Sequence, residues 1–270
     1  MNNRVVPYDL DYNILNKSRK IAKWLLVLTF IFSFSINVIN ELNIQIDKYY
    51  IDFLLVLSIL FIIFFTILSI INDYILFPSS ENKRRTKYLD ASFDSNLSLE
   101  NIDPNFYNPE LTSGIYKLAV NGFENCFFTY NIGKSMIPKK IFVNSILFMF
   151  FIIFAYFGFK NFISYFFVFL QLFLSGLFLN DLVRFLIYHQ RNYQYFNKYN
   201  LLFNRIGSDL NLGVIPEILK HILDYECNLN WGMISLDSKI YNREVEKLNN
   251  QWEETKNKLG IAQSNSITTF

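Results

Sequence analysis

The sequence predicts an all-α membrane protein with four transmembrane helices in two hairpins and a helical cytosolic portion formed by a central insert and a C-terminal tail. Two features lead to this prediction: long apolar stretches without charged residues, and an uneven distribution of Lys and Arg around them. The stretches that lack Asp, Glu, Lys, Arg and His are Trp24–Ile39, Phe53–Ile71, Ile141–Phe159 and Phe162–Leu179. A soluble domain has no physical reason to hold four such stretches in two close pairs.

The length of each stretch suits a helix that crosses a bilayer. At about 1.5 Å per residue, the three longer stretches reach nearly the roughly 30 Å of a hydrocarbon core. The first stretch is shorter, but Ile21 and Ala22 extend it past Lys23, whose aliphatic stem lets the ammonium group reach the interface. Because backbone amides in lipid must be satisfied within their own segment, we expect helices. A cleaved signal peptide is the alternative for the first stretch, disfavoured by the long segment that precedes it.

The basic residues predict the orientation. The two short loops, Asn40–Asp52 and Lys160–Asn161, hold one basic residue each, whereas the insert Asn72–Lys140 holds eight and the tail after Leu179 holds ten. Basic residues near span ends stay on the cytoplasmic side. We therefore expect a multi-pass membrane protein with both termini in the cytoplasm. The predicted segments are a cytosolic start (1–20), hairpin 1 (21–71), a cytosolic insert (72–140), hairpin 2 (141–179) and a cytosolic stalk and tail (180–270).

Apolar spacing predicts the helices of the cytosolic insert and of the stalk. Pro78–Asn82 is expected to break the helix that leaves the second span. A helix is expected over Glu110–Tyr130, because its apolar residues recur at helical intervals. The fourth span is expected to continue as a stalk, since no helix-breaking residue occurs before Gly207.

Two further helices are predicted in the tail. Pro216 suits the first turn of a helix. Its expected buried side consists of Ile218, Leu219, Ile222 and Leu223. The last helix, near Leu236–Leu259, carries apolar residues at alternating four- and three-residue steps, which is a heptad-like seam. This seam packs either against the stalk of the same subunit or against another subunit.

Polar side chains form stripes within the predicted spans. The candidates for pore-lining or interhelix polar residues are Thr29, Ser33, Asn37, Asn40, Ser58, Thr66, Ser69, Ser164, Gln171 and Ser175. Such stripes often join helices through hydrogen bonds. The alternative is that one stripe lines a water-filled path after several subunits assemble, because a single four-helix bundle is too tightly packed to hold a pore.

The sequence contains no motif that indicates an enzyme. A phosphate-binding loop, a zinc motif and a nucleophile elbow are all absent, so we expect no catalytic, cofactor-binding or metal-binding residues. His189 is expected on a helix surface, and His221 in an ion pair with Asp224 or Glu226. The net charge of +2 gives no reason to expect nucleic acid as a partner.

Two regions of the chain carry recognisable motifs: Pro78-Ser79-Ser80, Lys83-Arg84-Arg85, Leu89–Leu97, Tyr241–Arg243, Gln251–Glu254 and Lys258–Ile261. In these motifs the chain resembles a family of four-transmembrane effectors of the bacterial inner membrane that accompany SMODS nucleotidyltransferases or SLOG sensors in antiphage loci. The order of parts is similar over nearly the whole chain. The resemblance implies a pore-forming effector that disrupts the inner membrane upon a nucleotide signal and so kills the infected cell. It also implies that Asp90, Phe93, Asp94 and Trp252 are structural or signal-coupling residues.

Three functions therefore stay open at the level of sequence. The favoured one is a pore-forming effector in abortive infection, with membrane lipid, further copies of itself, and a cyclic nucleotide or nucleotide-sensing protein as partners. The second is a membrane-anchored interaction scaffold without pore activity. The third, a membrane enzyme or small transporter, is disfavoured because the apolar stretches contain no ionisable residue.

Overall fold

The computed structural model describes residues 9–41, 43–98, 107–161, 179–208 and 210–261. Within these residues the fold is all-helical, as predicted, and contains no strand. The helices are α1 (Asp9–Glu41), α2 (Lys48–Ile71), α3 (Phe77–Phe93), α4 (Ile115–Asn161), α5 (Leu179–Ile206), α6 (Ile215–Gly232) and α7 (Ser238–Lys258). A π-helical turn, Asn72–Leu76, lies between α2 and α3, and a 3-10 turn, Leu212–Val214, precedes α6.

The chain divides into two compact units. The core unit consists of Met1–Tyr12, Pro78–Ile137 and Phe185–Phe270, and the apolar unit consists of Asn13–Phe77 and Pro138–Arg184.

The core unit is held together by a continuous hydrophobic core rich in aromatic side chains. Phe123 of α4 occupies its centre. Its ring stacks on Tyr199 and Phe203 of α5, with centroid distances of 5.6 and 5.4 Å, and meets the edge of Trp252 of α7 at 5.2 Å. Aromatic pairs of this kind stabilise a core beyond the area that they bury. One residue of α4 thereby joins three helices.

In the apolar unit, α2 carries large apolar side chains and no buried residue. It begins at Asp47, whose carboxylate accepts a hydrogen bond from the N–H of Tyr49. Phe32 of α1 stacks on Phe61 of α2 at 5.7 Å. Two stretches of the described chain, Leu10–Asn40 and Lys48–Phe93, are long and apolar enough to cross a membrane.

The other two predicted spans have different outcomes. Ile141–Phe159 lies within α4, which is helical throughout this range. Phe162–Leu179 lies outside the described residues, apart from Leu179 itself. A salt pair lies at the start of α5. Arg184 is 3.4 Å from Asp181, which also accepts a hydrogen bond from Lys140 at 2.9 Å.

The helix break predicted at Pro78–Asn82 is wrong. Residues Lys48–Phe93 are helical without interruption. The π-helical turn explains why, because the N–H of Phe77 bonds to the carbonyl of Asn72, five residues earlier, and Pro78 then falls in the first turn of α3. Proline is tolerated there, since its missing N–H is not needed. The helix expected over Glu110–Tyr130 is present, but it begins at Ile115 and continues through Pro138.

In the tail, the start of α6 at Pro216 is confirmed, but its predicted buried side is only half right. Ile218 and Ile222 are buried, whereas Leu219 is 40% and Leu223 is 65% exposed. The stalk ends at Ile206 before Gly207, as expected, because Gly207 adopts a left-handed φ of 53°.

The heptad-like seam of α7 packs within the same chain. Trp252 contacts Phe123 and Phe127, and Tyr241 contacts Phe128. All three phenylalanines belong to α4. The aromatic contacts of the heptad-like seam are therefore made with α4, whereas the partner expected within the same subunit was the stalk.

Candidate functional site

The candidate functional site lies in the core unit, where polar side chains are buried along one side of α3. Six polar residues of this helix are almost inaccessible to solvent: Ser80, Glu81, Arg84, Lys87, Asp90 and Ser92. Buried charges are unfavourable unless they are paired and hydrogen-bonded. The contacts of these residues therefore show how the unit is organised.

Asp90 fixes the loop that follows α3. Its Oδ1 accepts hydrogen bonds from Ser95 Oγ and the N–H of Leu97, both at 2.7 Å. Its Oδ2 accepts from the N–H and the Oγ of Ser98, at 2.8 and 2.7 Å. Burial alone raises the pKa of a carboxyl group, but the bonds from Ser98 and Ser95 outweigh it and hold the pKa of Asp90 below its ordinary value. The carboxylate thus holds residues 95–98 as a negatively charged acceptor.

A chain of hydrogen bonds continues from α3 into α4. Asn121 Nδ2 donates to Ser92 Oγ at 3.0 Å, and Asn108 Nδ2 donates to Asn121 Oδ1 at 2.9 Å. The same Asn108 amide group donates to Glu124 Oε2 at 2.7 Å. All four side chains are buried. Their bonds join the end of α3, the loop before α4 and α4 itself.

Lys256 extends this chain of bonds to α7. Its Nζ donates to Asn108 Oδ1 at 3.2 Å and to Glu110 Oε1 at 2.9 Å, and it lies 2.9 Å from Glu253 Oε1. Burial lowers the pKa of a lysine, but Glu110 and Glu253 outweigh it and hold the pKa of Lys256 above its ordinary value. We call the connected residues Ser92, Asn108, Asn121, Glu124 and Lys256 the polar seam.

A second buried ion cluster joins α3 to α6. Arg84 donates to Glu81 at 3.0 Å and also to Glu226 of α6. Arg85 lies 3.5 Å from the same Glu226 carboxylate. Two arginines and two carboxylates thus balance one another. Removing one partner from such a cluster leaves an uncompensated buried charge.

The four residues indicated by the resemblance occupy different environments. Asp90 and Trp252 are buried, and the seam connects their helices, because Lys256 lies one helical turn after Trp252. Phe93 is 41% exposed. Asp94 ends α3 with a left-handed φ of 52°, and its carboxylate lies on the surface, 3.6 Å from Lys117. Asp90 and Trp252 therefore lie in positions that suit a structural role inside the unit, whereas Phe93 and Asp94 lie at its surface at the end of α3.

Trp252 is fixed by aromatic packing on one side of α7. Its ring lies 5.2 Å from Phe123 and 5.7 Å from Phe127. Its Nε1 is buried and has no hydrogen-bond partner among the described residues. The position therefore requires the shape of the ring and makes no use of the indole N–H.

The predicted polar stripes lie on helices of the apolar unit. Thr29 and Asn37 donate to the carbonyls of Leu25 and Ser33 within α1, and Thr66 donates to the carbonyl of Ile62 within α2. These bonds satisfy the side chains inside their own helices. Four further residues of the stripes, Ser33, Asn40, Ser58 and Ser69, lie on the same two helices, and Ser164, Gln171 and Ser175 lie outside the described residues.

The histidines offer no acid–base pair in the described chain. His189 stacks on Tyr130 at 5.1 Å, and burial, with Lys134 nearby, lowers its pKa. The ion pair predicted for His221 is absent from the described residues. Asp224 is paired with Lys220 at 2.6 Å, and Glu226 is paired with Arg84 and Arg85. The described residues also contain no group of three His, Cys, Asp or Glu side chains arranged for a metal ion.

Sequence reasoning missed most of the polar seam. Lys256, Asn108, Asn121 and Glu124 gave no motif. The only available signal was the placement of polar residues among apolar ones on the inward faces of α4 and α7. Chemically, the seam links the end of α3, through Asn121 and Asn108, to the helix that carries Trp252. No family model, curated protein or solved structure matches this chain.

Proposed function

We propose that this chain is a pore-forming membrane effector of a bacterial antiphage system that acts by abortive infection. The observation that carries the proposal is the contrast between the two units. The core unit buries its own aromatic core, whereas α2 of the apolar unit buries none of its residues and exposes large apolar side chains along its length. Contiguous apolar surface of this kind is unfavourable in water and favourable in lipid.

In the membrane, the chain forms four spans in two hairpins in the bacterial inner membrane, with both termini in the cytoplasm. The two membrane-length stretches supply the first hairpin. The charge-free stretches Ile141–Phe159 and Phe162–Leu179 supply the second. The concentration of Lys and Arg in the insert and tail supports this orientation.

The core unit receives the signal, which is a nucleotide or a nucleotide-sensing protein. A ligand shifts an equilibrium between two states only through different affinity for them. The polar seam supports such a role, because its hydrogen bonds run from Ser92 at the end of α3 to Lys256 of α7 and would be rearranged if α7 moved. The active state contains several copies, since four packed helices leave no room for an aqueous path.

The proposal is tested by expressing the chain in bacteria with and without an activating nucleotide cyclase, and by following membrane potential with a voltage-sensitive dye. Depolarisation that requires both components is the expected result. Unchanged potential and normal growth with the cyclase active would overturn the proposal.

A matched variant separates a pore from a scaffold. Replacing the four spans with unrelated apolar helices preserves the core unit and its membrane attachment. A pore-forming effector loses all depolarisation upon this exchange. If the exchanged protein still arrests growth in response to the cyclase, the chain is a membrane-anchored scaffold.

A further inference from the structure

Charged side chains of the apolar unit gather in one place. Four basic and two acidic residues form this group, here called the interface cluster: Arg19, Lys23, Asp73, Lys140, Asp181 and Arg184. Each of the four charge-free stretches has a member of the cluster next to one of its ends. Lys23 and Lys140 directly precede the first and third stretches, and Asp73 and Asp181 follow the second and fourth by two residues.

Asp181 interacts with several cations of the cluster. Its carboxylate lies 2.9 Å from the ammonium group of Lys140 and 3.4 Å from the guanidinium of Arg184. Burial raises the pKa of this carboxyl group, but three cations, Lys140, Lys23 and Arg184, outweigh it and hold the pKa below its ordinary value. One negative charge is thus shared among three positive ones.

Positive charge exceeds negative charge in the cluster. Arg19 is paired with Asp73 at 3.3 Å and also interacts electrostatically with Arg184. Lys23 interacts with both of these arginines and with Asp181. Four positive charges therefore face two negative ones among the described residues. Like charges held close together repel one another, so an additional anion stabilises the cluster.

Two cations of the cluster have donors that the described chain does not use. Lys23 is exposed and has no hydrogen bond or ion pair with any described residue. Arg184 reaches Asp181 through Nη2, whereas its Nε is buried and has no hydrogen-bond partner in the described part of the chain. A guanidinium presents its donors in a planar fork that matches the oxygens of a phosphate. Lys23 and Arg184 can therefore bind an anion without giving up a partner.

We propose that the interface cluster binds the phosphate of an anionic lipid headgroup through Lys23 and Arg184. The inference rests on the membrane placement proposed above and goes beyond it, because it needs neither a pore nor a nucleotide signal. Basic residues next to the ends of spans lie at the level of the headgroups, and basic pockets between spans on the cytoplasmic side bind such headgroups. A soluble phosphate offers the same chemistry, and the experiment distinguishes the two sources.

Native mass spectrometry of the full chain in detergent measures the lipid preference. The protein is titrated with phosphatidylglycerol and, in a parallel series, with phosphatidylcholine, which has no net charge. We expect phosphatidylglycerol to bind at least about ten-fold more tightly, because two cations contribute to its binding. Equal binding of the two lipids would overturn the inference.

Two variants remove the proposed donors. Lys23→Gln and Arg184→Gln leave Asp181 paired with Lys140. Each is expected to weaken phosphatidylglycerol binding about five-fold, and the double variant about twenty-five-fold. The matched control is Lys48→Gln, which removes one exposed lysine outside the cluster, at the start of α2, and keeps the wild-type affinity. Equal affinity of the double variant and the wild type would contradict the proposal, as would an equal loss in the control.

A conservative variant separates charge from packing. Lys23→Arg keeps the charge and is expected to bind phosphatidylglycerol as the wild type does. An equal loss of affinity in Lys23→Arg and Lys23→Gln would assign a packing role to this residue and overturn the inference. Circular dichroism checks the helix content of each variant. If the double variant unfolds, Lys23→Gln decides the result, since it breaks no ion pair.

Competition distinguishes a lipid headgroup from a soluble phosphate. Inorganic phosphate and adenosine monophosphate, each in large excess, are expected to leave phosphatidylglycerol binding unchanged. Displacement of the lipid by either one assigns the cluster to a soluble phosphate and overturns the lipid assignment. Depolarisation is measured separately. Intact depolarisation without lipid preference refutes only this inference, whereas lipid preference without depolarisation refutes only the proposed effector function.

Discussion

Trp252→Ala tests whether the aromatic cluster between α4 and α7 holds the core unit together. Trp252 is 1% exposed and contacts Phe123 and Phe127. Truncation of a buried Phe or Trp to Ala costs about 3–5 kcal/mol, because the transfer energy is lost and a cavity remains. The two ring contacts alone contribute about 0.5–1.5 kcal/mol each. We therefore expect a loss of about 4 kcal/mol, a large share of the roughly 5–15 kcal/mol that stabilises a domain.

Trp252→Phe is the matched control for shape. Because Nε1 has no hydrogen-bond partner among the described residues, this change removes no bond and leaves one aromatic ring in place. It still empties part of the indole site. We expect a cost of less than half that of Trp252→Ala.

Urea unfolding of the full chain in detergent micelles measures both costs when helix content is followed by circular dichroism. A shift of the midpoint at constant slope reports a change in stability. Two results would refute the packing argument. One is a Trp252→Ala variant within 1 kcal/mol of the wild type. The other is equal destabilisation by the two variants, since this would show that the indole N–H and not the ring matters.

Three further predictions concern single residues. Since the pKa of Asp90 is depressed in the folded chain, its contribution to stability is present above the unfolded pKa of about 3.9 and is lost as pH falls through the folded value. Asp90→Asn should therefore destabilise the chain in urea at pH 7, and this effect should disappear as the pH falls below the depressed pKa. Gly232→Ala should lower the free energy of unfolding by about 1–3 kcal/mol, because an added Cβ would lie 2.3 Å from a ring carbon of buried Tyr188. A maleimide reagent should label only Cys227 in the folded chain and both thiols in urea, because burial shields Cys126 and raises its pKa.

A specific result would contradict each of these three predictions. The prediction for Asp90 fails if the difference in free energy of unfolding between the wild type and Asp90→Asn grows as the pH falls. Gly213→Ala is the control for the glycine, since its nearest atom outside the local backbone lies at 3.7 Å, an ordinary contact. Equal effects of the two alanine substitutions would contradict the steric argument. Labelling of two thiols in the folded chain would contradict the buried position of Cys126.

The sequence predicted those features that depend on local chemistry. The start of α6 follows from the fixed φ of Pro216, and the end of α5 from the freedom of Gly207. The extent of α7, Ser238–Lys258, follows from its apolar spacing and from Asp237, whose carboxylate accepts the N–H groups of Lys239 and Ile240. In each case the determining groups lie within a few residues of the boundary.

Features that depend on distant residues were not accessible from the sequence. The sequence predicted a helix break at Pro78–Asn82 and no helix over α3. The helix forms nevertheless, and its polar side is buried because Glu226 and Asn121 supply partners from α6 and α4. The exposure of Leu223 is the converse case. Helical spacing placed it with the core, but the helix presents a neighbouring arc to α4 and α5. Burial of a helix face is decided by its neighbours and not by its own pattern.

The two kinds of contact in the core unit have different consequences for a change of state. The apolar burial that the aromatic core provides is non-directional, so its free energy is lost gradually as helices slide. The hydrogen bonds of the polar seam are directional, and a buried donor or acceptor left without a partner costs about 1–3 kcal/mol. A partial displacement of α7 would leave several such groups unpaired at once, including Lys256 and Asn108. Intermediate positions are therefore unfavourable, and we infer that α7 either remains docked or moves far enough for its polar groups to reach water or a ligand. Under the function proposed above, such all-or-none behaviour would keep the effector silent until its signal is present.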